Sequence, residues 1–596
     1  MSIKDWTSAS KKEEATDLST SQPPAPEAAS EMTAADPDDT IVEKQEQTPG
    51  SDQSKPAGPT APHDDDLAYP TGIRLLLIML SIFIGMFLVT LDRLIVSTAI
   101  PQITNEFNSA GDIGWYGTAY MLTNCAFQLL FGKLYGIFSI KGTFLASIIL
   151  FEVGSAVCGA APNSIALIFG RAVAGLGAGG ITAGVIAILV HSVPLHKRPK
   201  YQGFFGGVFA VASVMGPLVG GAFTTDVSWR WCFYINLPLG AVVFVVVSLL
   251  LKIQAQPGKP GQADTPLKDK LRRIDALGML ALVPAVVCLC LALQWGGTKY
   301  SWGSGRVIAL LVLSAVLLLA FIAVQIWRSE KQVTVPPRIL CQRSIASGFL
   351  AACCMGAHMT IFAYYLPVWF QAIQGVSAVT SGVRTLPMMM PVVVASVVTG
   401  LLVVRIGYYT PFLILGTCLA AAGAGLLTTL SVDSSTAKWA GFQLLYGFGL
   451  GFSSQAPNMA AQTVLPRPDV ALGASLMFFG QQLLGAIFTS VGQNVLDSQL
   501  TRRFNAIPGL SLSPQQIQGA GATEVLNLVP TSDRPAALIA YNDALRVVFR
   551  VGLIMASISI LGALAMEWRT VKKNAPAKKP TGEAAAEEGK VQKQTV

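Results

Sequence analysis

Apolar stretches of about twenty residues recur along most of this chain and alternate with short polar segments. A helix needs about 20 apolar residues to cross the hydrocarbon core of a bilayer, so the pattern predicts an all-α polytopic membrane protein. We expect about fourteen spans, and their even number places both termini on one side. The predicted spans are 73–97, 114–135, 142–161, 164–190, 201–222, 233–252, 274–295, 305–327, 346–370, 379–404, 411–431, 438–457, 470–496 and 546–566.

Residues 1–68 differ from the rest of the chain in composition. This segment holds 15 acidic residues, 5 lysines and very few aromatic residues, so it cannot bury enough apolar surface to offset its ordering entropy. We therefore expect a disordered tail. Loops on the tail side carry 17 Lys/Arg, against five in the short loops of the opposite side, so the positive-inside rule predicts cytoplasmic termini.

Composition also narrows the function classes. The chain is 52% hydrophobic and 13% charged, whereas soluble domains carry about 25% charged residues. No basic run is interleaved with aromatic residues, so a nucleic-acid partner is not expected. The nine cysteines show neither a disulfide framework nor zinc spacing, and we expect no metal or cofactor.

Nucleotide-binding signals are weak or missing. Gly175, Gly177 and Gly180 satisfy G-x-G-x-x-G, but they lie inside an apolar span rather than between a strand and a surface helix. The sequence has no G-x-x-x-x-G-K-[ST] phosphate loop. Active transport by this chain would therefore be driven by an ion gradient.

Few charges lie inside the predicted spans, and such charges are candidates for function because they are costly in lipid. Asp92 lies in the first span, Glu152 in the third and Arg171 in the fourth. Asp92 and Arg171 lie at similar predicted depths, so they are candidates for an ion pair. Proton coupling at Asp92 or Glu152 is one interpretation, and a static pair that fixes helix packing is the other. Arg93 is an alternative partner for Asp92, or reaches the outer surface.

Five short motifs, in order along the chain, resemble those of the major facilitator superfamily, in particular its fourteen-span drug:proton antiporters of the fungal multidrug and toxin efflux type. Arg171-A-V-A-Gly175-L-Gly177 resembles the fourth-helix motif. The fifth span contains an antiporter-like motif, G-x8-G-P-x-x-G-G, formed by Gly207, Gly216, Pro217, Gly220 and Gly221. The other three segments are D-R-L-I-V-S-T-A-I-P at 92–101, W-R-W-C-F-Y-I-N-L-P at 229–238 and S-G-V-R-T-L-P at 381–387.

The cytoplasmic loop motif of that family is only partly present. Gly132 and Lys141 match its ends, but Gly136 stands where the family has Asp, so the usual charge latch cannot form from that position. A weaker copy at 400–409 indicates an internal repeat.

The resemblance implies two pseudo-symmetric six-helix halves with two extra helices between them. The corresponding organisation is a disordered cytoplasmic tail at 1–68, an N-terminal half at 69–252, linkers with the extra helices at 253–345, a C-terminal half at 346–568 that includes an external loop at 497–545, and a disordered basic tail at 569–596.

Polar and aromatic residues in the later spans are candidates for the substrate pathway, although hydrogen-bonded packing between helices is the alternative for each. They are His358, Tyr365, Trp369, Gln371, Gln455, Asn458 and Gln481.

The expected function is proton-coupled export of hydrophobic small molecules, such as drugs, toxins or secondary metabolites, by alternating access. A transporter of the same fold with a narrow cargo (a siderophore or a vacuolar basic amino acid) and a non-transporting membrane sensor are the alternatives. We expect a monomeric protein of the plasma membrane, with the vacuolar membrane as alternative, whose partners are lipid, substrate and protons.

Overall fold

The computed structural model describes residues 69–109, 112–252, 266–297, 300–328, 332–508, 510, 516 and 525–572. The predicted tail at 1–68 and most of the predicted tail at 569–596 lie outside these residues. The described chain is helical, with two isolated β-bridges and no strand, so the predicted all-α class is confirmed. The helices are α1 (Gly72–Phe107), α2 (Ile113–Ile137), α3 (Ile140–Gly159), α4 (Ser164–Ser192), α5 (Arg198–Ala222), α6 (Trp231–Tyr234), α7 (Asn236–Leu250), α8 (Leu267–Arg272), α9 (Ala276–Trp295), α10 (Gly305–Trp327), α11 (Pro337–Leu340), α12 (Arg343–Gln374), α13 (Ala378–Arg384), α14 (Leu386–Ile406), α15 (Thr410–Leu427), α16 (Thr436–Ser453), α17 (Ala456–Val464), α18 (Arg467–Phe504) and α19 (Arg534–Ala565).

Membrane-crossing helices account for most of this list. Within the described ranges, twelve helical segments are long and apolar enough to span a bilayer. Two further helices, α2 and α16, pack among them but are not part of that set. The total of fourteen spans therefore stays a prediction.

Helix ends follow local capping chemistry. The Ser139 hydroxyl accepts from the Gly142 N–H at the start of α3, and the Asn163 side chain accepts from the Ala166 N–H at the start of α4. Toward the C-terminus, α18 runs on to Phe504 and α19 already begins at Arg534. Both helices thus take in residues that the hydropathy pattern assigned to the external loop at 497–545, because polar helix ends can extend beyond the apolar core of a bilayer.

Two helical groups and an inserted pair make up the fold. Helices α1–α7 pack mainly on one another, as do α12–α19, while α9 and α10 form a hairpin between the two groups in sequence. The hairpin is fixed at Asp275, a buried carboxylate that caps α9. Asp275 Oδ2 accepts from Gln325 Nε2 at 2.7 Å and from Thr334 N and Oγ1 at 3.0 Å.

The two groups meet closely at the end of the bundle where α1 begins, which we call the tail end. There α5 packs on α14, and α2 packs on α18. A Cβ placed on Gly203 would lie 2.7 Å from Ser396 O, and one on Gly132 would lie 2.7 Å from the Ser475 side chain. Arg467 at the start of α18 also donates to the Tyr69 hydroxyl. The structure therefore shows a state in which the tail end is closed.

Candidate functional site

The two charges that the sequence placed at similar depth form a buried ion pair. Arg171 Nη1 on α4 donates to Asp92 Oδ2 on α1 at 2.6 Å. The two side chains are 1% and 0% exposed, so neither charge is solvated. Arg171 also donates through Nε to Tyr116 O at 2.9 Å, and its guanidinium lies 4.4 Å from the ring centroid of Tyr120. The predicted pair is confirmed.

Asn236, at the start of α7, completes the surroundings of Asp92, and the sequence analysis did not select it. Its Nδ2 donates to Asp92 Oδ1 at 3.1 Å and contacts Ser155 Oγ on α3 at the same distance. Each carboxylate oxygen of Asp92 thus has its own donor. The sequence feature that could have identified Asn236 is its place in the W-R-W-C-F-Y-I-N-L-P segment, where it is the only residue with a side-chain amide.

Glu152 lies one helical turn before Ser155 on α3, beside α7. Its two carboxylate oxygens are buried and have no hydrogen-bond partner. A Cβ on Gly240 would lie 1.6 Å from Glu152 Oε1, so the absence of a side chain at Gly240 makes room for this carboxyl group. Glu152 is therefore close to the Asp92 network through α3 and α7 without being paired.

Arg93, the alternative partner of Asp92, has an exposed side chain. It takes no part in the buried pair, which leaves Arg171 as the ionic partner of Asp92.

The glycines of the fourth-helix motif allow close helix approach. A Cβ on Gly175 would lie 2.2 Å from Tyr120 O on α2, and one on Gly177 would lie 2.4 Å from Phe151 N on α3. Any side chain at these positions would push α4 away from its neighbours. These glycines therefore fix the position of Arg171, one turn earlier on the same helix.

The antiporter-like motif divides into two kinds of position. Cβ atoms on Gly216 and Gly220 would meet α1, at 3.0 Å from Leu94 Cβ and 2.2 Å from Thr98 Oγ1. Gly207 faces Val393 on α14 at 3.8 Å, and Gly221 has no atom within 4 Å. Pro217 lies inside α5. The tight contacts of this motif thus join α5 to the helix that carries Asp92.

The two matching residues of the loop motif have separate contacts. Gly132 lies in the seam between α2 and α18, against Ser475. Lys141 donates through Nζ to Ser248 O at the end of α7. Lys141 therefore ties α3 to α7 within the N-terminal group.

Three of the substrate-pathway candidates have hydrogen bonds in the packed interior of the C-terminal group. His358 Nδ1 lies 2.7 Å from Tyr446 Oη, Trp369 Nε1 donates to Asn542 Oδ1 at 2.8 Å, and Tyr365 Oη donates to Thr489 O at 3.1 Å. All three side chains are at least 98% buried. These contacts match the packing alternative.

The other four candidates are more dispersed. Gln371 Nε2 lies 3.5 Å from Ser381 Oγ, a long contact, and Gln455 lies at the junction of α16 and α17. The backbone of Gln481 contacts Gly356. Asn458 is 5% exposed, and its Oδ1 has no hydrogen-bond partner.

Asn458 is one of several buried amides in the described chain with at least one unpaired polar atom. Both polar atoms of Gln128, Gln202 and Gln462 are unpaired, as is Oδ1 of Asn124. Leaving a buried polar group unpaired costs about 1–3 kcal/mol. These amides come from α2, α5 and α17, which belong to both groups, and Gln202 adjoins the closed seam at Gly203.

The metal-ligating residue types of the described ranges are scattered. No group of three or more His, Cys, Asp or Glu side chains there is arranged to hold an ion. All nine cysteines are unpaired thiols.

Comparison with known proteins agrees with this architecture. Residues 82–489 match the family model described as Major Facilitator Superfamily. The chain is 50% identical over 541 residues to an "MFS-type transporter" of Claviceps purpurea, covering 91% of this chain and 93% of that one. It is 48% identical over 528 residues to the "MFS-type efflux pump MFS1" of Arthroderma benhamiae, covering 88% and 97%. The crystal structure of the human organic anion transporter MFSD10 superposes with a TM-score of 0.52 at 12% identity, covering 81% of this chain and 99% of that one.

Proposed function

Because this chain belongs to the major facilitator superfamily, we propose that it is a proton-driven exporter of hydrophobic small molecules, such as toxins or secondary metabolites. Relatives that it matches over most of their length are called efflux pumps, including the "Efflux pump aflT" of Aspergillus parasiticus at 46% identity over 507 residues. The observation that carries the proton role is the fully buried Asp92–Arg171 pair.

Asp92 is the proposed proton carrier, and its neighbours explain how a proton would act. A proton on the carboxylate removes its charge and with it the attraction between α1 and α4. Arg171 and Asn236 hold the two oxygens of the unprotonated form. Protonation therefore changes the free energy of this conformation relative to the other conformations of the transporter. A coupling ion must do this to shift a conformational equilibrium.

Glu152 is the second proposed proton site. Its buried oxygens have no donor, and a carboxyl group in such surroundings is less costly when neutral. Ser155, three residues after Glu152 on α3, accepts from Asn236, which also donates to Asp92.

The closed tail end fits alternating access. Opening the seams at Gly203 and Gly132 would expose the unpaired amides of α2, α5 and α17 to water or substrate, which would remove the cost of their burial. These amides are the proposed polar lining of the pathway in the tail-open state. Asn458 is among them, and Gln455 and Gln481 lie on neighbouring stretches of chain.

Orientation and location complete the proposal. The basic loops support a cytoplasmic location for the tail end, and in that orientation the closed tail end would be closed toward the cytoplasm. An exporter that clears a compound from the cell acts at the plasma membrane. The two groups and the hairpin α9–α10 are complete within one chain, which supports a monomer.

The test measures efflux of a lipophilic fluorescent cation from energised cells, with and without a protonophore, for wild type, Asp92→Asn and Glu152→Gln. We expect protonophore-sensitive efflux in wild type and its loss in Asp92→Asn at equal surface expression. Since Asp92→Asn leaves Arg171 without its ionic partner, which destabilises by about 3–5 kcal/mol, correct folding is checked by size-exclusion chromatography.

Three results would contradict parts of the proposal. Efflux that persists in Asp92→Asn and fails in Glu152→Gln would move the coupling site to α3. Wild-type efflux that is unaffected by the protonophore would exclude the proton gradient as the driving force. Absence of efflux for a panel of chemically different hydrophobic compounds would favour a narrow cargo.

A further inference from the structure

A cavity of about 140 Å³ lies in the seam between the two helical groups, away from the Asp92 network. Its walls come from α2 of the N-terminal group, α18 of the C-terminal group and the inserted helix α9. Helices α2 and α18 touch at Gly132 and Ser475 near the tail end. The cavity begins about two turns farther along both helices, beside Cys125 and Gln482. We call it the seam pocket.

The inserted hairpin is fastened to both walls beside this pocket. Thr118 Oγ1 on α2 donates to Gln294 Oε1 on α9 at 2.7 Å. Trp302, just after α9, donates through Nε1 to Asn494 Oδ1 on α18 at 2.5 Å. Helix α9 and the loop that follows it therefore contact both sides of the seam beside the pocket.

The size and the sulfur content of the pocket fit an aromatic ring. Cavities of about 150 Å³ in protein interiors are large enough to bind benzene. Met121, Cys125 and Cys290 contribute polarisable sulfur to the walls, and sulfur makes favourable contacts with aromatic rings.

Polar groups occupy one side of the same space. Gln482, Thr489 and Ser490 on α18 line it together with Gln294. Gln294 and Thr489 already form hydrogen bonds, with Thr118 Oγ1 and Gly485 O, but a purely apolar guest would leave the Gln482 amide facing carbon, which costs free energy. A hydroxyl or amine on the ring would give that amide a hydrogen-bonding partner.

We propose that the seam pocket binds the hydroxylated or aminated aromatic part of a small molecule, and that α9 is present in this fold to complete that site. As the site of an exported compound, it rests on the proposed export function. The binding itself requires no gradient, so it is tested separately. A ligand there touches both helical groups and the helix that joins them, and its affinity must therefore differ between tail-closed and tail-open states.

The experiment uses full-length protein in phosphatidylcholine nanodiscs, with 1-naphthol as a fluorescent probe. We expect saturable binding to wild type. Ala486→Phe, which fills the pocket from α18, should weaken that binding at least about tenfold. The matched control is Ala315→Phe, the same substitution at an exposed position of α10. Unchanged affinity in folded Ala486→Phe would overturn the proposal.

A second comparison tests the hydrogen-bonding side. Wild type should bind 1-naphthol more tightly than 1-methoxynaphthalene, which lacks the donor, and Gln482→Leu should reduce this preference. Equal affinity of wild type for the two compounds would overturn the polar part of the assignment.

A third measurement needs no substitution, in case Ala486→Phe does not fold. N-ethylmaleimide labelling of Cys290 should slow when naphthol is bound, whereas labelling of Cys418, exposed on α15, should not change. Peptide mass spectrometry reads both sites in one sample. Equal Cys290 labelling with and without saturating naphthol would contradict binding in the pocket and would leave a lipid chain or a different site as the occupant. The efflux test at Asp92 is independent of all three results.

Discussion

Asn236 on α7 and Asp92 on α1 are joined by a hydrogen bond of 3.1 Å from the amide Nδ2 to the carboxylate Oδ1, which leaves Oδ2 to Arg171. The same amide nitrogen contacts Ser155 on α3. Asp92 on α1 is therefore linked to three other helices: to α4 through Arg171, to α7 through Asn236 and, by way of Asn236, to α3. A change in the charge of Asp92 acts on all of them at once, which is the property that a coupling site requires.

The first prediction concerns this amide. Asn236→Ala removes the donor to Asp92 Oδ1, and hydrogen bonds to charged groups contribute about 1.5–3 kcal/mol. We expect a lower melting temperature in detergent and slower protonophore-sensitive efflux. Ser155→Ala is the control, since it removes only the second contact of the amide and should have a smaller effect. If Ser155→Ala were as damaging as Asn236→Ala, packing between α3 and α7 would explain the loss instead.

The second prediction separates two adjacent glycines of the antiporter-like motif. In Gly220→Ala the new methyl group would lie 2.2 Å from Thr98 Oγ1 and 3.0 Å from Ile95 O, so α5 must move away from α1. Overpacking of this kind typically costs about 1–3 kcal/mol. Gly221→Ala has open space. We expect Gly220→Ala to lose most efflux and Gly221→Ala to keep it, both at matched expression. Equal loss in the two variants would show that the motif acts through backbone flexibility rather than close packing.

Much of this architecture was predictable because a bilayer imposes strict rules on sequence. Apolar length identified the spanning helices, and the cost of a charge in lipid identified Asp92 and Arg171. Their matching depth predicted the ion pair that the structure shows. The role of that pair in proton coupling stays a prediction.

Other features could not be predicted from hydropathy, because they depend on which faces of the helices meet. Asn236 is an uncharged residue in an apolar segment, and nothing in its own sequence places it beside Asp92. Asp275 looks like part of a charged linker, yet it is 1% exposed and joins α9 to the end of α10. The position of α9 across the seam could not be predicted for the same reason, because the sequence of an apolar helix does not indicate which helices it packs against.

The third prediction concerns pH and a group outside the spans. Hydrogen bonds from Arg569 and Ser344 lower the pKa of Glu567 below its ordinary value of 4.5. A lowered pKa in the folded state means that Glu567 stabilises the protein above pH 4.5, and that this contribution disappears as the pH falls through the folded-state pKa. Because Glu567 is partly exposed to solvent, the effect should be small. As the pH falls below 4.5, the melting temperature should decrease less steeply for Glu567→Gln than for wild type. Identical curves of melting temperature against pH for the two proteins would contradict this role of Glu567.

The last prediction concerns closure of the tail end. A Cβ on Gly400 would lie 2.4 Å from Pro199 O and 3.1 Å from Gly203 Cα, so an added methyl group meets backbone that cannot rotate away. We expect Gly400→Ala to separate α14 from α5 and to favour tail-open states. Overpacking that costs about 1–3 kcal/mol corresponds to a population change of roughly 5–150-fold.

Spin labels at Lys200→Cys and Arg405→Cys, both exposed beside this seam, report its opening in a background without native cysteines. In Gly400→Ala the distance distribution between the labels should shift to longer values. Gly382→Ala is the matched control, because no atom lies within 4 Å of the added methyl group. If Gly400→Ala gave the wild-type distribution, the glycine contact would not limit closure, and the contact of Arg467 with Tyr69 would be the next candidate for the element that holds the tail end shut.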